Sequence, residues 1–280
     1  MITNAAATSL AVVIAERRRT RPGSGAYSGR VHAVLQRNAT ALRTSNLLAV
    51  LTGFVEPVLF LIAFGFGIGQ LVGGIEVDSE RVSYAAFIAP ALLASSAMNG
   101  AIFDSTYNVY FKMHYSKVYQ GMLATSLGPL DVALGEICWA VLRGGAYALG
   151  FTVIAAGFGL VPGPSALLAI PAALLIAFAF SAIGMSITSY MSSFHQLNWL
   201  TFWLLPMFLF SGTFYPVSNY PDWLRVIVEA TPLAQGVAMV RSLWLQDFGL
   251  GLAVNVAYFV ILAVIGVTLT GRRLAALFLR

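Results

Sequence analysis

Apolar residues run along this chain in long unbroken stretches, not in the alternation of a half-buried strand. Six such stretches stand out, at about 47–72, 84–108, 131–158, 166–190, 198–215 and 250–271. A helix needs about 20 apolar residues to cross the hydrocarbon of a bilayer. Continuous runs of this length exclude the short alternating strands of a membrane barrel. The pattern predicts an all-α integral membrane fold: six transmembrane helices in one bundle over residues 30–280, with residues 1–29 as a flexible cytoplasmic tail.

Three shorter patterns sit between these runs. In residues 30–45, Val31, Val34, Leu35, Ala39 and Leu42 recur at helical spacing while Arg30, Arg37 and Arg43 lie elsewhere on the wheel. This predicts a helix lying in the headgroup layer, the alternative being a polar lead-in. In residues 109–130, Tyr115, Val118, Tyr119 and Met122 form one apolar stripe, with Lys112, His114 and Lys117 outside it. Gly128-Pro129 ends the segment, and Asp131 can cap the next helix. A short amphipathic helix beneath the bilayer can float on headgroups or dock into a soluble partner. In residues 208–248, Gly212, Pro216 and Pro221 break the apolar run, and Asp222-Trp223-Leu224-Arg225 reads as the first turn of a short amphipathic helix. Phe214, Tyr215, Tyr220, Trp223 and Trp244 fall at interfacial depth, where aromatic rings are favoured. They form a lid over an exit, or an anchor that fixes the span ends.

Charge decides the orientation. Seven arginines precede residue 47, Lys112 and Lys117 lie in the 109–130 loop, and Arg272, Arg273 and Arg280 end the chain. These twelve basic residues oppose three (Arg81, Arg225 and Arg241) in the other loops, so both termini are expected in the cytoplasm. The 73–83 and 208–248 segments are then extracytoplasmic. Charged residues make up only 10% of the 280, against about 25% in a soluble domain, which excludes a water-facing globule. The net charge of +5 follows the membrane-orientation pattern and not a groove-reading patch, so no nucleic-acid partner is expected. The basic cluster at Arg17–Arg19 follows the apolar Ala5–Ala15 instead of preceding it, unlike a signal peptide. The single cysteine, Cys138, reads as a small core residue.

Little points to chemistry. No Gly-Lys pair occurs, so a phosphate-cradling loop with its lysine is absent. Gly65, Gly67 and Gly69 lie inside a span, where Gly65 and Gly69 have the spacing that lets helices approach closely. His32, His114 and His195 are scattered, so no metal site, cofactor or catalytic group is expected. Ionisable residues within spans cost about 2.5–3.5 kcal/mol and need a reason. Glu56 and Arg143, at depths of about 14 and 18 Å by helical rise, are candidates for an ion pair. Glu136 competes for Arg143 from the same helix, and self-satisfaction by backbone or water is the third reading. Asp104, near the end of its span, needs less explanation. Buried carboxylates would equally serve an ion-coupled secondary transporter, and a receptor or scaffold would need neither.

Three segments carry a resemblance. YQGMLATSLGPLDVALGEICW (119–139) resembles the segment between the second and third spans of ABC-2 type permeases. FLFSGTFYPVSNYPDWL (208–224), followed by Pro232, Leu233, Val237 and Arg241, resembles that family's C-terminal signature. GFVEPVLFLIAFGFGIG (53–69) resembles an element of the nodulation J subgroup, thought to export lipo-oligosaccharides; daunorubicin-resistance permeases are more distant. The chain departs at Gln120-Gly121, where an acidic residue is common, and at Glu56, where Asp is usual. The resemblance implies a type V exporter fold in which residues 112–127 form a coupling helix, 30–45 an interfacial elbow, and 216–245 short re-entrant helices before the sixth span. It implies a permease without its own ATPase, in the cytoplasmic membrane of a bacterium. Its partners would be two ATP-binding subunits, which hold ATP-Mg, and a second permease, identical or sister. Its cargo would be amphipathic: a glycolipid, a lipid-linked glycan or a hydrophobic drug.

Overall fold

The computed structural model describes residues 27–44, 55–72, 74–77, 80–246 and 248–278. The expected tail over 1–29 and the start of the first span fall largely outside these residues. Helix α1 is Val31–Thr44. Among the described residues, five helices are long and apolar enough to cross a membrane: α2 (Val55–Val72), α3 (Tyr84–Tyr115), α5 (Pro129–Gly157), α6 (Ala169–Tyr190, entered by a 3₁₀ turn at Pro164–Leu168) and α10 (Leu250–Phe278). Between them lie α4 (Val118–Leu123), α7 (Gln196–Phe210), α8 (Asp222–Glu229) and α9 (Pro232–Trp244). The stretch expected as a fifth span, 198–215, is thus the 15-residue α7, about 22 Å long. It carries Pro206 and ends at Phe210, and Gly212 just beyond turns the chain with a φ of +74°.

α3 is the central post. It packs against α5, α6 and α9, and nearly every residue from Tyr84 to Ile102 is buried. Ser83 caps its start by accepting from the Ala86 N–H at 3.3 Å. Its far end does not stop at 108 as expected. Two π-helical segments, Asp104–Asn108 and Phe111–Tyr115, carry it on to Tyr115. A third occupies Leu61–Ile68 of α2. Such widened turns re-aim side chains and concentrate at functional sites.

Small residues let these helices close on one another. A Cβ on Gly144 of α5 would lie 2.8 Å from the Ala97 carbonyl of α3, and one on Gly266 of α10 2.6 Å from the backbone of Ala182 in α6. A Cβ on Gly65 of α2 would come to 3.1 Å from Ala85, as the small-residue spacing predicts. Cys138 is half-buried on α5. An antiparallel hairpin, β1 (Gly74–Val77) with β2 (Glu80–Ser83), joins α2 to α3 in the register Gly74 to Ser83. Ile75 and Val82 of this hairpin pack on the core.

Candidate functional site

Three places hold the predicted site residues. The first is the end of the bundle where α3 stops. Lys117 adopts a left-handed conformation (φ 49°) that breaks α3 from the six-residue α4. Tyr119, Met122 and Leu123 of α4 are buried against Val34, Val109, Met113 and Val132. The expected stripe is therefore divided. Tyr119 and Met122 face inward, Val118 is half-buried, and Tyr115 stands exposed, its ring 5.2 Å from that of Phe111. The face that α4 offers outward is Gln120 and Gly121, continued past its end by the exposed Ala124 and Thr125. Lys112 and His114 belong to the last π turns of α3, so the coupling helix expected over 112–127 is a helix end, a break and one short helix. His114 Nε2 lies 3.0 Å from the Met191 carbonyl. Beside it, Gln120, Tyr190 and Arg273 line a groove of about 280 Å³.

Directly behind α4 is a charge cluster. Lys112 Nζ donates to Glu136 Oε2 at 2.6 Å and to Asn38 Oδ1 at 3.1 Å, and Asn38 Nδ2 donates to the same carboxylate oxygen at 3.1 Å. Arg37 donates to Asn38 Oδ1 at 3.0 Å. This ties α1, α3 and α5 together. Burial pushes the Tyr119 phenol well above its ordinary pKa, and the nearby Glu136 carboxylate adds to the effect. Its hydroxyl and Glu136 Oε1 are both buried without a hydrogen-bond partner. Asp131 caps α5, as predicted, by accepting from the Gly128 N–H at 2.8 Å. The same carboxylate also accepts from the N–H groups of Ser28 (2.7 Å) and Arg30 (2.8 Å) and from the Ser28 hydroxyl (2.6 Å). It thereby pins the lead-in of α1.

The second place is inside the bundle. The expected Glu56–Arg143 pair does not form. Arg143 donates to Asp104 Oδ1 at 3.1 Å and through Nε to the Tyr147 hydroxyl at 3.0 Å. Asn108 also donates to Asp104 Oδ1. Asp104, taken as peripheral in the sequence, is 4% exposed because the Asp104–Asn108 turn of α3 is packed against α5 and α6. Glu136 is engaged by Lys112 and not by Arg143. Glu56 instead lines a cavity of about 350 Å³ between α2, α3, α5 and α7. Asn99, Tyr107, Tyr147 and Thr201 add polar atoms to its wall; Phe103, Leu204 and Phe208 supply apolar surface.

The third place is the opposite end. The Phe214 ring packs 5.0 Å from Phe64 and 5.3 Å from Phe208, bridging α2 and α7. Its carbonyl accepts from the Tyr84 hydroxyl at 3.0 Å. Tyr220 donates to the Tyr215 hydroxyl at 2.7 Å; burial and this bond raise its pKa. Pro216 begins a 3₁₀ turn and Pro221 begins α8. Trp223, Val226 and Ile227 form an exposed apolar face on α8. Trp244 departs from expectation. It is 1% exposed, in the core, with Nε1 donating to the Leu160 carbonyl at 3.2 Å, because α9 is packed between α3, α6 and α10.

Residues 30–245 match the family model of the ABC-2 type transporter. The chain belongs to the ABC-2 type transporter family. It is 31% identical to nodulation protein J of Sinorhizobium fredii (strain NBRC 101917 / NGR234) over 233 residues, 83% of this chain and 87% of that protein. It is 30% identical to nodulation protein J of Rhizobium leguminosarum bv. viciae over 247 residues, 86% and 94%. Nodulation protein J of Rhizobium meliloti (strain 1021) is 28% identical over 247 residues, 86% and 93%.

This ABC-2 permease is therefore a membrane-spanning component of a transporter, of a family whose members work with separate ATP-binding subunits. Asn38, Asp104 and Arg241 were missed as site residues in its sequence. Asp104 and Arg241 could have been flagged by their charge beside long apolar runs, whereas a lone asparagine such as Asn38 carries no such signal.

Proposed function

We propose that this chain is the permease subunit of an ATP-driven exporter in the bacterial cytoplasmic membrane, moving an amphipathic or lipid-linked substrate outward. Two permease subunits, identical or sister chains, would pair and engage two ATP-binding subunits. Six crossings, with α7 as the short fifth, would leave both termini in the cytoplasm.

The observation that carries this reading is the placement of α4. Its outward face is small and polar, while its inward face is locked by Tyr119 and Met122 onto the core that holds Lys112, Glu136 and Asn38. A push on α4 would be delivered to α1, α3 and α5 as one unit, because buried contacts transmit displacement with little slack. The cavity between α2, α3 and α7 supports a pathway along spans one, two and five. Its mixed wall suits a molecule with a sugar or other polar head and an apolar tail. Phe214, Tyr215, Pro216, Tyr220, Pro221 and Trp223 would shape the outer exit. Cargo of the glycolipid type is what the resemblance of residues 53–69 to the nodulation J subgroup implies. An ion-coupled mechanism is less well served, since Asp104 and Glu136 are bound to Arg143 and Lys112.

The test is reconstitution of the permease in proteoliposomes with and without its cognate ATP-binding subunit. Movement of a fluorescent glycolipid that requires both the subunit and ATP is expected. Movement by the permease alone, driven by a proton gradient, would contradict the reading.

A further inference from the structure

The end of the bundle beneath α8 holds a cation with no carboxylate partner among the described residues. Arg241 on α9 lies with its guanidinium carbon 4.2 Å from the centre of the Phe87 ring. One terminal nitrogen donates to the Gly212 carbonyl at 2.8 Å, and the buried Nε has no hydrogen-bond partner. Among the described residues no carboxylate lies within ion-pair distance of it. Lys112 and Arg143, by contrast, each have one.

Arg241 faces a cavity of about 660 Å³, within the size range of small-molecule sites. Gln235, Ser242 and Asn255 add amide and hydroxyl groups to the wall, and Ala238 leaves it roomy. Glu229 also lines the space, but its carboxylate accepts from Arg225 Nε at 2.7 Å, so that pair adds no net charge. The cavity therefore carries the excess positive charge of Arg241. A guanidinium presents planar, paired N–H groups that match two oxygens of one phosphate. Bracing Gly212 uses a single N–H and requires no cavity.

We propose that this cavity binds a phosphate-bearing group. Arg241 would supply the charge, and Gln235, Ser242 and Asn255 would supply polar contacts. The group would be the headgroup of an anionic lipid or a free phosphate, which share this chemistry. The site goes beyond the exporter reading, and its test needs neither ATP nor transport, so either idea can fail without the other.

The full-length protein, purified from membranes, is exposed to equal amounts of phosphatidylglycerol and phosphatidylcholine and examined by native mass spectrometry; inorganic phosphate is titrated separately. The expected result is retention of phosphatidylglycerol about tenfold over phosphatidylcholine, abolished by Arg241→Gln and by Ala238→Phe. The second variant fills the cavity but leaves the guanidinium and its Gly212 bond in place, so it decides the matter if Arg241→Gln fails to fold. Saturable binding of phosphate, lost in both variants and without lipid preference, would support the site and name the free anion as its ligand. No anion binding by the unaltered protein would overturn the proposal, as would Ala238→Phe binding anions like the unaltered protein.

Discussion

Where α3 meets α1 and α5, the half-buried cations have buried carboxylates: Lys112 has Glu136 at 2.6 Å and Arg143 has Asp104 at 3.1 Å. At the α8 end, Arg241 has an aromatic face and one carbonyl. Removing a charge from water is expensive, and an opposite charge in good geometry offsets much of that cost. An aromatic quadrupole offsets less, about 2 kcal/mol when desolvated. The paired region thus behaves as a fixed joint among three helices. The unpaired one keeps a demand for negative charge facing a cavity. On the proposals made above, mechanical coupling would fall to the paired region and ligand capture to the unpaired one.

The sharpest way to break this contrast is to orphan a cation in the paired region. Asp104→Leu leaves the half-buried Arg143 without its carboxylate and should cost about 3 kcal/mol, the low end for breaking a buried pair, read as a fall in the melting temperature of the detergent-solubilised protein. Adding Arg143→Leu should recover at least half of the loss, because an apolar pair of similar volume needs no compensation. A double variant no better than Asp104→Leu would show that the residues do not act as a pair. Asp131→Ala comes next. It removes the acceptor for three backbone N–H groups and a hydroxyl, and should cost about 1–2 kcal/mol, with faster proteolysis around residues 28–30. At the other end, Phe87→Leu preserves apolar packing and deletes the ring beneath Arg241. A loss of about 1 kcal/mol in the same melting assay is expected, smaller than for Asp104. The smallest effect belongs to Arg225→Ala. The Arg225–Glu229 pair is exposed on both sides, and its removal should leave the melting temperature unchanged.

What could be read in the sequence divides along physical lines. The long helices follow from apolar run length alone, and α8 and the proline-bounded turns follow from local breakers; the β1–β2 hairpin falls where the sequence is read only as a loop. The α4 segment shows where this stops. Tyr115, Val118, Tyr119 and Met122 share a helical spacing, but spacing does not say whether a stripe faces a partner or the chain's own core. The break at Lys117 then separates Tyr115 from the others. Likewise, depth along a span matched Glu56 to Arg143. The π turns of α3 instead extend that helix beyond Asp104 and place its carboxylate against Arg143. The short α7 was over-read because aromatic residues continue past Phe210 after the helix has ended. In each case the missing information is non-local: which helix lies beside which, and how far each is rotated.

The account turns on α4 being the surface that a separate ATP-driven subunit grips, and one crosslinking measurement tests this directly. A photoreactive residue at position 120, on the outward face of α4, is irradiated in cells that also produce the cognate ATP-binding subunit. The account predicts a discrete adduct with that subunit, absent when the probe is moved to the buried position 119. An adduct with lipid alone, or equal labelling from both positions, would contradict it.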